Sequence, residues 1–166
     1  MRWRTDTCTD HNHHMTGQSI YIPSYTRETE RIACGVAEAY ERSQGRDPVD
    51  VSGGYRPSCD YVSSSVDGSM RYIEVKGRRG RQTSVSLVDR QLQAATTYPS
   101  DWWLYVVFDC VTKPVLYVLN HVAELRWELQ SPAKAIPSGK QAPAVGETAV
   151  WQVMPEIVVS AGTRVQ

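Results

Sequence analysis

The period of the hydrophobic positions changes several times along the 166 residues. From Tyr25 to Gly45 the apolar residues Ile32, Val36, Ala39 and Tyr40 recur at three- and four-residue spacing, which predicts an amphipathic helix. Thr26 is its expected N-cap, Glu28 and Glu30 favour the first turn, and Gly45 ends it. Pro48 to Ser52 reads as a short strand closed by Gly53-Gly54, and Cys59 to Ser63 as the next. Val66 to Ser69 contains Asp67-Gly68, a strong hairpin signal, so Arg71 to Lys76 is expected to return antiparallel to that strand. A basic loop from Gly77 to Gln82 leads into a third strand of the group at Ser84 to Leu87, then a helix from Asp89 to Thr97.

Trp103 to Phe108 is nearly continuous in apolar residues, the signature of a strand buried on both faces. Val115 to Leu119 is another strand, and Asn120 can cap a helix running to about Gln130. Beyond Ser131 the chain is rich in Pro and Gly, with Val150 to Val153 and Ile157 to Val159 as short edge strands or a docked tail. The order predicts an α/β fold, a mixed central sheet flanked by helices on both faces. It divides into a flexible leader over 1–24, a core over 25–131 and a loosely structured extension over 132–166.

Composition sharpens this only locally. Lys plus Arg and Asp plus Glu are 18 each, so net charge points to no partner. Residues 71–90 nevertheless carry six cationic side chains against Glu74 and Asp89, a patch suited to an anionic partner or to a solvated loop. The four cysteines form no CxxC pair, the N-terminus is polar, and no apolar run approaches the roughly 18–20 residues of a membrane span. These features predict a soluble, cytoplasmic protein with reduced thiols and no membrane partner. Cys8, Asp10, His11, His13 and His14 form one crowded group, whereas zinc sites usually pair two ligand pairs across a spacer; a flexible leader is the expectation there. Trp102, Trp103 and Trp127 read as core, His121 as a surface residue, and no GxSxG elbow supports a hydrolase triad.

The chemistry concentrates in Arg71-Tyr72-Ile73-Glu74-Val75-Lys76-Gly77-Arg78-Arg79. On a strand, Glu74 and Lys76 leave the same face about 6–7 Å apart. Asp60 precedes Glu74 across the predicted hairpin and can join them. Two carboxylates suit a hard cation such as Mg²⁺ or Mn²⁺, which activates water and neutralises phosphoryl charge, and a lysine can orient that water. A structural ion pair of Lys76 with Asp60 or Glu74 explains the same residues.

Gly54-Tyr55, Asp60-Tyr61-Val62-Ser63, Arg71 to Arg78 and Trp103 to Val107 together resemble the PD-(D/E)xK restriction-endonuclease-like superfamily. Within it the chain most resembles the NO VEIN-type C-terminal domain of unknown function, found in helicase-like and bacterial defence proteins. The resemblance spans roughly residues 27–120. It implies a metal-dependent DNA endonuclease in which Asp60, Glu74 and Lys76 are catalytic, with Asp60, Glu74 and the Val75 carbonyl holding the metal. It also implies a helix glutamate, Glu30 in preference to Glu38 or Glu41. Arg78, Arg79, Arg81 and Gln91 are the expected nucleic-acid contacts, and a homodimer or a helicase-like subunit the expected partner. Two departures stand out: Arg56 to Cys59 intervene between Gly-Tyr and the aspartate, and Arg90-Gln91 stands where Asn-Glu is usual. They motivate the alternative of a catalytically inactive nucleic-acid-binding or assembly module with the same fold.

Overall fold

The structure, a computed structural model, describes residues 24–54, 58–81, 84–130 and 150–165. The N-terminal Cys/His group and the Pro- and Gly-containing stretch 131–149 lie outside the described residues. Among those described, strands β1 (Asp47–Asp50), β2 (Tyr61–Ser64), β3 (Met70–Gly77), β5 (Trp102–Phe108), β6 (Val115–Leu119) and β9 (Thr163–Val165) form one six-stranded sheet in the order β1-β2-β3-β5-β6-β9. All neighbours are antiparallel except β3 and β5, so the sheet is mixed. A second sheet of β4 (Val85–Val88), β8 (Val150–Val153) and β7 (Glu128–Gln130) has β8 in its middle. Helices α1 (Ser24–Ser43), α2 (Asp89–Thr97) and α3 (Pro155–Ala161) complete the α/β architecture. Among the described residues, no helix is long and apolar enough to cross a membrane.

β5 is the keel. Trp102, Leu104, Val106 and Phe108 enter one core with Leu87, Ala95 and Val153, while Tyr105 and Val107 enter the other with Ala33, Ala37 and Ile73. A strand that feeds two cores has no polar face to show, which accounts for its unbroken apolar run.

The buried stripe of α1 is Thr29, Ala33, Cys34, Ala37 and Glu41, with Ile32, Val36 and Tyr40 on its flanks. Of the expected stripe, Ile32, Val36 and Tyr40 pack against this core and only Ala39 is exposed, so the stripe is centred one residue over from its expected line. Small residues face the sheet because α1 crosses close to β3 at Gly77: a Cβ there would stand 2.7 Å from the Thr29 carbonyl oxygen and 2.9 Å from Ala33 Cβ. Real side chains do not approach so closely, so glycine is what lets the helix lie across the end of β3.

Three elements differ from expectation. The strand at Ser84 to Leu87 does not join the β1–β3 group but pairs with β8, which lies more than sixty residues downstream. The helix expected after Asn120 is a single 3₁₀ turn, Val122–Glu124, followed by β7. His121 takes a left-handed backbone before it, and Trp127 donates its indole N–H to the Val122 carbonyl at 2.8 Å after it, so the chain turns where a helix would continue. Ile157 to Val159, expected as strand, is helical in α3. Pro155 at the first helical position fixes φ for a helix start and outweighs the β-branched residues that follow. Residues 150–165 are therefore built into the fold, with Val153 and Val158 fully buried, rather than loosely attached.

Candidate functional site

The site lies where β2 parts from β3. Their ladder ends at Tyr61 opposite Ile73. Just beyond, the Asp60 backbone N–H donates to the Ile73 carbonyl at 2.9 Å, and the Val75 N–H donates to Asp60 Oδ2 at 2.8 Å. A side chain thus replaces the next main-chain rung. Within a strand the N–H and C=O of one residue point to the same edge, so the Val75 carbonyl also faces the edge that β2 has vacated.

Glu74 and Lys76 leave β3 on the face toward α2, as their spacing requires. Lys76 Nζ lies 2.6 Å from Glu74 Oε1. The same oxygen accepts from Gln91 Nε2, whose Oε1 accepts the Val88 N–H at 3.0 Å. Because a backbone N–H can only donate, that bond fixes which end of the amide meets Glu74. Gln91 is the third residue of α2 and closes half of a capping box with Val88, a valine having no side-chain acceptor for the other half.

Glu74 is only 3% exposed, and its carboxyl is pushed up to about 7. Burial is the first cause; Lys76 opposes it and the Asp60 charge adds to it. Asp60 is also raised, by burial first, against the Val75 hydrogen bond and the Lys76 charge. Cys59 beside them has its thiol pushed up to about 12, by burial first and then by both carboxylates, which makes it an inert neighbour rather than a nucleophile.

Of the three candidate helix glutamates, Glu30 is the one in electrostatic reach of Asp60 and Lys76. The residue is exposed, yet its carboxyl is raised first by partial burial and next by the Asp60 charge, with Lys76 opposing. The two charge effects are the informative ones, since they put this carboxyl within electrostatic reach of both groups. Glu38 instead accepts from Tyr61 Oη at 3.0 Å and pairs with Arg42. Glu41 is buried among Arg46, Arg71 and Tyr105.

The expected nucleic-acid contacts divide. Arg79 and Arg81 are exposed on the loop after β3, with Arg81 paired to Asp109 at 2.6 Å. Arg78 is half-buried and donates Nε to the Ser84 carbonyl and Nη1 to the Gly77 carbonyl, holding the two ends of that loop together. Gln91 is buried and has both ends of its amide engaged inside the protein, so it orients Glu74 instead of reaching outward. The basic run did not reveal these internal duties; the N3 position of Gln91 after an expected helix start was the one available signal.

Among the described residues, no three His, Cys, Asp or Glu side chains close into a ready cage for a metal ion. Mg²⁺ does not require one, since it keeps several waters and is commonly held by one or two carboxylates together with substrate phosphate. Asp60 and Glu74 each commit one oxygen to protein donors, and their second oxygens with the Val75 carbonyl would offer a hard cation an all-oxygen donor set.

The titration of Glu74 has a measurable consequence. Its folded-state value near 7 exceeds its ordinary 4.5, so the folded chain binds this proton more tightly than the unfolded one. The resulting stability is fully present below about 4.5 and is lost as pH rises through about 7, amounting to roughly 3 kcal/mol. In chelator, the stability difference between wild type and Glu74→Gln should fall by about that amount over this window, read by urea denaturation. A difference that does not vary with pH would show that Glu74 is not buried as described.

The family described as Protein NO VEIN, C-terminal, matches residues 29–119, a span that includes Glu30, Asp60, Glu74, Lys76 and Gln91. No curated protein matches, and no solved structure does. The matched span covers more than half of the chain, and the chain belongs to the NO VEIN C-terminal family.

Proposed function

We propose that this chain is a PD-(D/E)xK-type, metal-dependent deoxyribonuclease that hydrolyses phosphodiester bonds. The observation that carries the reading is the Asp60 side chain on the Val75 N–H, which brings Asp60, Glu74 and Lys76 to one sheet face with Glu30 in range. Asp60, Glu74 and the Val75 carbonyl would hold Mg²⁺ or Mn²⁺. When bound, such a cation supplies a polarised water and neutralises charge on the phosphate. The chain's own residues do the rest. Lys76 orients the attacking water and offsets the charge that develops at phosphorus. Gln91 keeps Glu74 in place, and Arg79 and Arg81 face the phosphates on either side as forked donors that carry no sequence information. Cutting both strands of a duplex calls for a second active site, from another copy or from a helicase-like partner in a defence or DNA-processing assembly.

One observation favours a second reading, an inactive nucleic-acid-binding or assembly module: Glu74 already holds Lys76 and Gln91, so the site is closed on itself. Incubating the purified chain with supercoiled plasmid distinguishes the two. Under the nuclease reading, nicking appears with Mg²⁺ or Mn²⁺, disappears with EDTA, and is reduced about a hundredfold or more in Asp60→Asn. Equal background nicking by wild type and Asp60→Asn, with DNA binding that EDTA does not alter, establishes the inactive module instead.

A further inference from the structure

Among the described residues, the sheet face that carries Glu74 continues uncovered beyond the site. Cross-strand register sets Val49 opposite Val62 and Val62 opposite Tyr72, and places Met70 on the same face of β3. The α1 side of β1 and β2 is closed by Pro48, Tyr61 and Ser63, all buried, whereas on this side Val49 is 54% and Met70 39% exposed. Val62 and Tyr72 are half-buried. At the inner end of the strip, Tyr98 follows α2, stands edge-on to Tyr72 with ring centroids 5.5 Å apart, and is itself 39% exposed. Tyr72 is the side chain next to Glu74 on this face, about 7 Å along the strand, and Val62 stands in the same relation to Asp60.

Two features identify what lies there. The strip is apolar and aromatic where it adjoins the carboxylates, which suits a planar, uncharged ring. Two carboxylates border the strip, Asp47 at its outer edge and Asp101 soon after Tyr98; Arg46 beside them is already paired with Glu41, Arg90 acts on Glu74, and the arginines of the 78–81 loop follow Lys76 at the opposite end of β3. The arginine loop therefore suits phosphates better than the apolar strip does. A nucleobase beside the scissile phosphate suits the strip, provided that it is not paired within a duplex.

We infer that the Val49–Val62–Tyr72–Tyr98 strip receives an unpaired base of the DNA strand being cut, so that the preferred substrate is single-stranded or locally unpaired DNA. This rests on the nuclease reading for its orientation. It also follows that the base is held by stacking, without hydrogen-bond readout, so little preference among the four bases is expected.

The test measures binding in EDTA by fluorescence anisotropy, independently of cleavage, with a short oligothymidylate and a mixed-sequence duplex as probes. Stacking on one aromatic residue is worth about 1–3 kcal/mol, so Tyr98→Ala should weaken single-strand binding by roughly 5- to 150-fold while Tyr98→Phe retains it. Duplex binding should be the same in all three proteins. An abasic site walked along the oligonucleotide should lower the affinity of wild type at one position and that of Tyr98→Ala at none. The inference is overturned if Tyr98→Ala binds the single strand as tightly as wild type, if single-strand and duplex affinities fall together, or if wild type does not bind the single strand. It is likewise overturned if Tyr98→Ala changes only self-association in sedimentation, which would assign the strip to a second copy. Cleavage by wild type with single-strand binding unaltered in Tyr98→Ala removes this inference alone. The predicted binding pattern without cleavage under any divalent cation removes the nuclease reading alone.

Discussion

Glu41→Ala should unfold this protein at a markedly lower temperature, with a loss of about 3–5 kcal/mol. Glu41 is 1% exposed near the C-terminal end of α1 and neutralises two arginines. Arg71 Nη1 lies 2.8 Å from its Oε1, and Arg46 Nε lies 3.0 Å from its Oε2, an ion pair whose angle falls short of a hydrogen bond. Tyr105, from the central strand, donates its hydroxyl to the same carboxylate. Each arginine is tied elsewhere too: Arg46 donates to the Ser63 and Ser69 carbonyls, and the Arg71 guanidinium lies over the Trp103 ring at 4.4 Å. Removing the carboxylate leaves two enclosed cations and a buried hydroxyl without their acceptor, the arrangement in which a broken buried pair costs most. Arg42→Ala is the control. Its pair with Glu38 is an i,i+4 contact on the surface, with Arg42 59% exposed, and its loss should cost about half a kcal/mol or less. Thermal unfolding should separate the two by roughly 10 °C for a chain of this length. Similar midpoints would mean that the Glu41 cluster is not assembled around α1, β3 and β5.

That cluster also shows where reading the sequence stops. Periodicity carried the main elements because it reports local demands: β3 with its two charges on one face, the Asp67-Gly68 turn before it, and the apolar run of β5. Glu41 looked like one more exposed helix carboxylate because its partner Arg71 is thirty residues away and on another element. Arg71 in turn counted toward a basic patch. In the fold it answers Glu41, Lys76 answers Glu74, Arg81 answers Asp109, and Arg78 ties off a loop, so much of the apparent local excess of charge is used internally. The candidate site was legible to the extent that it is written on one strand. Asp60, Glu74 and Lys76 are together as their spacing suggested, and the preference for Glu30 came from the resemblance, whereas the engagement of Glu38 by Tyr61 and of Glu41 by Arg46 and Arg71 is written in no local pattern. The pairing of β4 with β8 joins segments far apart in the chain, and no local pattern encodes it.

The largest functional effect is expected from Lys76. Its ammonium holds Glu74 Oε1 at 2.6 Å on the face where, under the nuclease reading, the phosphate is attacked. Lys76→Ala should lower metal-dependent cleavage by about a hundred- to a thousandfold, the usual consequence of removing one donor aimed at developing charge. Lys76→Arg keeps the charge but replaces a compact point donor with a planar fork, so it should recover only part of the loss. Two routes lead to this effect, and pH separates them. The Lys76 charge opposes the burial that lifts Glu74, so removing it pushes that carboxyl above its value near 7 and leaves it protonated at neutral pH. If Lys76 served only to keep Glu74 ionised, raising the pH by about two units would restore cleavage by Lys76→Ala, since each unit changes the ionised fraction about tenfold. If it acts on the water and the phosphate, the deficit persists at high pH and exceeds that of Gln91→Leu, which loosens Glu74 while leaving the ammonium in place. Plasmid nicking rates for the three variants, measured between neutral and alkaline pH at a fixed, limiting Mg²⁺ concentration that leaves proton and metal in competition for Glu74, decide between them. Full recovery of Lys76→Ala at alkaline pH would make Lys76 a positioning residue for Glu74 rather than a catalytic one.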